Sequence, residues 1–253
     1  MNNFELIVLG SGAMVPSKDK NPAGFLVKTA GKSILLDAGH GTIRRLTDLD
    51  TNIQNIDYVF ISHFHTDHFG DAFNLVHSRW VDDIYSHNKH KKLIFWCPHG
   101  TKSRFKLWRK IFWKEPDEKY PVEFREGSQQ FKIKDIQIEL FPVKHVKWFS
   151  SLGVIMKYKG KKLVYTGDIG SGHSFSNLVK ITKDADLLIT EASYEIKTPN
   201  HYTVNQIKEL TNKANIKKVL VVHIRPQYEK RVKKICQKEP KFIFGKDKSR
   251  IKI

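Results

Sequence analysis

The chain has 253 residues, of which 40% are apolar, and its 44 lysine and arginine residues outnumber 26 aspartate and glutamate residues. The length suits one domain over residues 1–253, and no run of about 18 apolar residues occurs, which excludes a membrane-spanning helix. The two cysteines, Cys97 and Cys236, lie far apart, and the first residues lack a secretory signal pattern. We therefore expect a cytoplasmic protein without a disulfide framework.

The formal net charge of +18 is the extreme value of the composition. Such a charge attracts anions such as nucleotides, RNA and phosphoesters. The alternative is a lysine-rich solvated surface with no binding role. The densest basic region, residues 230–252, is open to the same two interpretations, with a solvated helix face and a charged tail as the second.

The N-terminal part alternates apolar runs with glycine-bearing turns, a pattern typical of β-hairpins. We predict strands at Glu5–Leu9, Gly24–Lys28, Ser33–Asp37, Tyr58–Ile61 and Lys92–Cys97. Helical spacing predicts helices at Thr42–Asp50, at the start of the segment 69–92, and at Ser103–Lys114. The last of these is basic, and we expect its apolar stripe to pack on the core rather than to contact RNA or a membrane. That stripe comprises Phe105, Trp108, Ile111 and Phe112.

The second half repeats this rhythm of hairpins followed by helix–strand alternation. We predict strands at Ile136–Leu140, Gly153–Tyr158, Lys162–Thr166, Asp186–Thr190 and Lys218–His223, and a helix at Thr203–Asn212 capped by Thr203. Such an order predicts an α/β fold in which two mixed sheets pack face to face with helices outside.

Residues 63–68 read HFHTDH and directly follow an apolar strand, so four candidate metal ligands fall within six positions. Neutral imidazole and carboxylate groups are ligands that zinc prefers. Because side chains alternate along an extended segment, His63 and His65 point to the same side. Asp67 and His68 follow on the predicted first turn of a helix. The motif therefore predicts two adjacent metal positions.

Three more ligand-type residues follow apolar runs, namely His145, Asp168 and His223. A lone histidine at a strand end is more often a hydrogen-bonded structural residue. Several such coincidences in one chain favour a common metal site instead.

These motifs resemble the metallo-β-lactamase superfamily, and within it the branch of ribonuclease Z and cyclic-nucleotide phosphodiesterases, from Leu9 to Tyr228. The HxHxDH motif matches the superfamily signature. Residues 16–21 are similar to a PxKxRN segment with Lys20 in place of arginine, and residues 35–42 to LxDxGEGT with His40 in place of glutamate. Further matches are the glycine loop 9–13, Gly167-Asp168, Thr190–Ser193 and His201-x-Thr203.

The resemblance implies an αββα sandwich that holds two zinc ions, or Mn²⁺ or another divalent metal, between the sheet edges. It assigns one ion to His63, His65 and His145, the other to Asp67, His68 and His223, and a bridging role to Asp168. Such a pair of ions would activate a hydroxide that attacks a phosphodiester.

The resemblance also casts Asp67 as an orienting base and Glu191 with His201 as a dyad that protonates the leaving alkoxide. The alternative for the dyad is a structural hydrogen-bonded pair. The substrate-binding residues that it implies are Lys18, Asn21, Ser150 and Arg225. Arg225 lies in the segment HIRPQY, where the family usually has HxSxRY.

The choice of substrate depends on a long arm with which ribonuclease Z enzymes of this branch grip tRNA. In the family the arm follows the glycine that corresponds to Gly153, but here Asp168 lies only fifteen positions later. Our first hypothesis is therefore a zinc-dependent phosphodiesterase for a small, cyclic nucleotide. The close alternative is a tRNA 3′-endonuclease without the arm, in which helix 103–114 or the C-terminal lysines replace it.

Other classes of protein fit the sequence less well. A lactonase, thioesterase or β-lactamase of the same superfamily would act on a neutral group, whereas the positive charge suits a phosphate. A nucleic-acid-binding module with a structural zinc would need only four ligands. We also predict a homodimer without membrane contact, with Trp80, Trp108, Trp113 and Phe149 as interface or pocket aromatics.

Overall fold

The fold is built from two seven-stranded sheets, and the computed structural model describes it over residues 4–86, 91–113, 120–194 and 196–253. The first sheet has the order β14-β1-β2-β3-β4-β5-β6. Its strands are β1 (Glu5–Gly10), β2 (Gly24–Thr29), β3 (Lys32–Ala38), β4 (Tyr58–Phe60), β5 (Leu93–Cys97), β6 (Val122–Glu126) and β14 (Arg250–Lys252).

The second sheet has the order β13-β12-β11-β10-β9-β8-β7. Its strands are β7 (Gln129–Ile133), β8 (Ile136–Val143), β9 (Ser151–Tyr158), β10 (Lys161–Tyr165), β11 (Leu187–Glu191), β12 (Val219–Val222) and β13 (Phe242–Phe244). In each sheet one half is antiparallel and the other half parallel. Tight turns join β2 to β3, β7 to β8 and β9 to β10, whereas parallel neighbours need crossover connections.

Helices cover the outer face of both sheets, apart from a short one that carries two of the candidate metal ligands. They are α1 (Thr42–Asp48), α2 (Thr66–Phe69), α3 (Ala72–Tyr85), α4 (Thr101–Phe112), α5 (Phe175–Thr182), α6 (Val204–Lys213) and α7 (Glu229–Lys238). Side chains of α1, α3 and α4 pack on the first sheet, and those of α5, α6 and α7 pack on the second. A third core lies between the sheets and includes Phe60, Trp96 and Met156. The predicted αββα sandwich is therefore confirmed.

Most predicted elements are present within a few residues of their expected bounds. Thr203 caps α6 as predicted, and it forms a reciprocal capping box with Gln206. Strands β6, β7, β13 and β14 and helix α5 were not anticipated. Residues 250–252, at the end of the basic region, pair with β1 as strand β14. No described helix combines the length and the hydropathy that crossing a bilayer requires.

Helix α4 bears out its predicted packing only in part. Phe105 is buried and Trp108 is partly buried, but Ile111 and Phe112 are 56% and 70% exposed. Ile111 lies about 120° around the helix from Phe105, and Phe112 is the last helical residue. Trp80 and Trp113 are buried in this helical layer. The predicted helix end at Lys114 and residues 87–90 of the segment 69–92 lie outside the described residues.

Candidate metal centre

The candidate ligands lie at one edge of the sandwich, on loops and on the short helix α2. His63 and His65 occupy the loop between β4 and α2, and Asp67 and His68 lie within α2. Strand β8 is followed by His145, β10 by Asp168 and β12 by His223. Strands from both sheets thus deliver side chains to one place.

Three imidazoles and one carboxylate form the first group, whose ligand atoms all lie within 4.8 Å of one another. His65 Nδ1 is 3.0 Å from His63 Nε2 and 3.3 Å from His145 Nε2. Asp168 Oδ2 is 3.7 Å from His145 Nε2 and 4.0 Å from His63 Nε2. Ligands of a tetrahedral zinc ion lie about 3.3 Å apart, because each Zn–N bond is about 2.0 Å long. The spacing of this group fits one such ion.

Asp67, His68 and His223 form the second group. Asp67 Oδ2 is 2.9 Å from His223 Nε2 and 3.8 Å from His68 Nε2. Asp168 reaches this group too, because its Oδ1 is 3.4 Å from His68 Nε2 and its Oδ2 is 3.5 Å from His223 Nε2. Its carboxylate therefore lies between the two groups, as a bridging ligand would.

Several polar atoms of these groups are buried without a hydrogen-bond partner. They are both oxygens of Asp168, Oδ1 of Asp67 and Nε2 of His68. A buried polar atom without a partner is costly, and a buried carboxylate even more so. Nitrogen and oxygen donors of this kind fit divalent zinc or a similar ion. The residues present therefore fit the metal that the fold family implies.

The electrostatics differ between the two groups. Burial lowers the pKa of His63 well below its usual value, lowers that of His65, and lowers that of His145 to about 4. In the second group burial also opposes the charged form of His68, but nearby Asp168, Asp67 and Asp37 hold its pKa well above the usual value. Burial thus favours the neutral form of the three imidazoles in the first group, which is the form that binds metal.

A buried aspartate that the sequence analysis did not select as a site residue orients His68. Asp37 Oδ2 accepts hydrogen bonds from His68 Nδ1 at 2.7 Å, Ser62 Oγ at 2.7 Å and Tyr165 Oη at 2.5 Å. Its Oδ1 accepts one from the backbone N–H of Ser62 at 2.6 Å. The aspartate of the LxDxGEGT-like segment was the signal that could have identified it.

Outer partners hold other candidate ligands in the same way. His145 Nδ1 donates to the carbonyl oxygen of Asn200 at 2.8 Å. His223 Nδ1 lies 2.6 Å from Ser193 Oγ, and Ser62 Oγ lies 2.9 Å from His63 Nδ1. Such partners fix the ring orientation and leave Nε2 for a metal.

Glu191 and His201 form a hydrogen-bonded pair beside Asp168. His201 Nδ1 is 2.7 Å from Glu191 Oε2 and 3.7 Å from Asp168 Oδ2. Glu191 Oε1 accepts from the backbone N–H of Ile169, which fixes the carboxylate. Burial opposes the charged form of His201, but the Glu191 carboxylate outweighs it and raises the pKa of His201 to about 9. Glu191 is buried, whereas the His201 side chain is 17% exposed.

The four predicted substrate-binding residues have different surroundings in the structure. Arg225 lies over the ring of Tyr194 at 4.5 Å, and that ring lies 5.2 Å from the His201 ring. Asn21 instead ties its loop to the start of α1, since its side chain donates to the carbonyl oxygen of Gly41. Lys18 and Ser150 are exposed on loops that precede β2 and β9.

A family model described as anti-Pycsar protein Apyc1 matches residues 4–244. The chain belongs to this family. Among curated relatives of this Apyc1-family chain, ribonuclease Z of Archaeoglobus fulgidus is 24% identical, with 95% of this chain and 93% of that protein covered. Ribonuclease Z of Thermococcus sibiricus is 25% identical, with 96% and 94% covered.

Solved structures confirm the fold of the Apyc1-family chain. YhfI of Bacillus subtilis, a metallo-β-lactamase fold protein, matches with a TM-score of 0.82 and 16% identity over 100% of both chains. The short form of human tRNase Z matches with a TM-score of 0.79 and 21% identity over 98% of both chains. Together with the ribonuclease Z relatives and the candidate metal centre, this fold supports a metal-dependent hydrolase of the metallo-β-lactamase superfamily, in its ribonuclease Z-like branch.

Proposed function

We propose that this protein is a phosphodiesterase that uses two divalent metal ions, preferably zinc, to hydrolyse a small cyclic nucleotide. The observation that carries the metal-dependent chemistry is the position of Asp168. Both of its oxygens are buried, lack hydrogen bonds and lie between two groups of ligand atoms. His63, His65 and His145 would hold one ion, and Asp67, His68 and His223 the other.

When bound, such a pair of ions lowers the pKa of water to near neutrality and offsets charge on the attacking and leaving oxygens. The Oδ1 atom of Asp67 is buried and unbonded, which suits it to orient the attacking group. Glu191 holds the Nδ1 proton of His201, so Nε2 is the nitrogen that delivers a proton to the leaving alkoxide.

Arg225 supports an anionic substrate. Its guanidinium lies against the Tyr194 ring, and no carboxylate in the described part of the chain pairs with it. A half-buried arginine with free donors near the dyad can bind the phosphate oxygens in a bidentate manner. The net charge of +18 would attract the same anion over longer distances.

The path of the chain favours a small substrate. Residues between Gly153 and Asp168 form the tight β9–β10 hairpin, so this part of the chain carries no protruding arm. The turn of that hairpin lies at the strand ends opposite the metal centre, because His145 and Asp168 adjoin the other ends. A substrate that needs an extended grip is thereby disfavoured.

The second candidate is a tRNA 3′-endonuclease, which the relatives named ribonuclease Z favour. Assaying zinc-loaded protein on 3′,5′-cyclic mononucleotides and on a precursor tRNA separates the two. We expect turnover of the cyclic nucleotides. Cleavage of the tRNA alone would contradict our proposal, and hydrolysis of a lactone but of no phosphodiester would contradict both.

The role of the dyad is testable through the leaving group. Replacing His201 by Ala should lower kcat on a cyclic nucleotide by about 10²–10⁴-fold, because its alkoxide needs a proton. Bis-p-nitrophenyl phosphate releases a stable phenolate, so its turnover should fall by less than about tenfold. Glu191→Gln should lower turnover of the two substrates in the same unequal way and leave the zinc content unchanged. The matched control is His99→Ala, because His99 is exposed to solvent. Equal losses on both substrates would contradict proton donation by His201.

The homodimer and the cytoplasmic location stay predictions. The exposed apolar side chains of Leu107, Ile111 and Phe112 on α4 support association with a second copy. Cys97 and Cys236 are buried free thiols, which suits a reducing compartment. Sedimentation equilibrium of the purified protein checks the first of these predictions.

A further inference from the structure

Exposed apolar side chains lie on the loops that surround the candidate metal centre. Trp148 is 77% exposed, only three residues after His145. Met14 is 47% exposed, and its Sδ atom lies 3.5 Å from Oγ1 of Thr66, a residue between the ligands of the HFHTDH motif. The polar metal centre is therefore bordered by apolar surface.

The loop that carries Trp148 is fixed against the metal centre by its neighbour Phe149. The Phe149 ring lies 5.8 Å from the His63 ring and 5.1 Å from the His65 ring, measured between centroids. Trp148 itself makes no aromatic or cation–π contact with the described residues. A large indole is thus held in water by an ordered loop, where it gains nothing for the fold.

The spacing suits a nucleotide. Three residues span at most about 11 Å, so the Cα of Trp148 lies within about 11 Å of that of His145. A phosphate at the metal centre would leave the nucleoside part of a nucleotide at about this distance. Every nucleobase has a π-face that stacks on an aromatic side chain.

We propose that Trp148 is the stacking platform for the nucleobase of the substrate and is therefore a specificity-determining residue. This inference rests on the proposed phosphodiesterase function and deepens it. The platform selects phosphodiesters that carry a base over those that carry only a sugar. It binds the base by its face, a mode of recognition that is tolerant of base identity.

Kinetics on two substrates test the inference, one a 3′,5′-cyclic nucleotide and the other 1-O-methylribose 3′,5′-cyclic phosphate, which lacks a base. Trp148→Ala should raise KM for the cyclic nucleotide by about tenfold, with kcat within about twofold. KM for the substrate without a base should not change. Trp148→Phe should retain most of the affinity. Tyr85→Ala removes an equally exposed ring at the end of α3, 79% exposed, and should change neither constant.

A binding measurement supplies a readout that is independent of turnover. A nucleoside 5′-monophosphate should quench the tryptophan fluorescence of the wild-type protein, and Trp148→Phe should remove most of that quenching. Unchanged quenching in this variant would overturn the inference.

Other outcomes of the kinetics are equally decisive. An unchanged KM in Trp148→Ala, while the wild type hydrolyses the cyclic nucleotide, overturns the platform and leaves the proposed function intact. An equal rise in KM on both substrates, with conversion of a dimer to monomers in sedimentation, assigns Trp148 to a subunit interface and also overturns it. A wild type that hydrolyses neither cyclic substrate contradicts the proposed function itself.

Discussion

At the scale of single residues, the centre depends on side chains that never contact a substrate. Asp37 adopts a φ of 55°, in the left-handed region, at the end of β3. This conformation is uncommon for residues other than glycine, although aspartate tolerates it better than most. The carboxylate of Asp37 accepts hydrogen bonds from side chains of β10 and α2 and from the loop after β4. One side chain thereby ties both sheets to His68.

Asp37→Asn should lower the affinity for the second metal ion by about 10–100-fold. The amide has one acceptor oxygen instead of two, so it cannot satisfy His68, Ser62 and Tyr165 together. Titration against a chromophoric chelator measures the affinity. Asp57→Asn is the matched control, since Asp57 also accepts from a side chain and a backbone N–H but away from the centre. Equal affinities in wild type and Asp37→Asn would refute the orienting role.

At the scale of elements, the centre needs close packing of the residue after β3 against the start of α2. A Cβ atom on Gly39 would lie 2.1 Å from the backbone oxygen of Asp67 and 2.8 Å from Pro22 Cβ. The two segments therefore approach to a distance that only glycine allows.

Gly39→Ala should displace α2 and with it the metal ligands Asp67 and His68. A shift of about 1 Å is enough to lower activity by about 10²-fold. Phosphodiesterase assays together with metal analysis of the purified variant measure the effect. Gly172→Ala, on a loop with nothing within 4 Å of the added Cβ, should keep wild-type values. A Gly39→Ala variant with full zinc content and activity would show that the approach is not required.

The sequence predicted those elements whose signal is local. Buried strands such as β4 and β12 are continuous apolar runs, so the sequence alone indicates that both of their faces are buried. Strand β6 has only two apolar residues among three charged ones, too few to stand out as an alternating pattern, and the three-residue β14 has a partner some 240 positions away in sequence. Neither has a local pattern that identifies it.

In the candidate site, too, the sequence predicted what is local and missed contacts between residues that are distant in the chain. The spacing of the HxHxDH motif predicted four of the candidate ligands, namely His63, His65, Asp67 and His68. The contacts of Asp37 with Tyr165 and of Ser193 with His223 join separate strands, so spacing along the chain cannot predict them. The exposure of Trp148 likewise depends on how Phe149 packs.

At the scale of the whole molecule, two carboxylates and five histidines are gathered at the edge between the sheets. Metal removal should therefore lower Tm, because ions that bind only the folded state stabilise it by mass action. Free ion at a hundred times Kd contributes about 2.7 kcal/mol per site, which corresponds to about 5–10 °C in a chain of this size. Differential scanning calorimetry with and without EDTA measures the shift.

Asp168→Ala supplies the control for metal removal, because this variant lacks the bridging ligand. Its Tm should respond to EDTA by less than about 2 °C, since little metal remains to be removed. A wild-type Tm that is indifferent to EDTA, in protein shown to contain zinc beforehand, would contradict a metal-stabilised fold.

The pairing of β14 with β1 has a consequence for biosynthesis. Glu5 is opposite Lys252 in this pair of strands, and Asp247 accepts hydrogen bonds from Ser11 and Asn21 in the loop after β1. In the same loop, the carbonyl oxygen of Ser11 accepts a hydrogen bond from the backbone N–H of the candidate ligand His223. Two segments some 236 positions apart in the chain must therefore meet before this loop is anchored. A nascent chain on the ribosome therefore holds an incomplete catalytic pocket until residue 247 has left the exit tunnel.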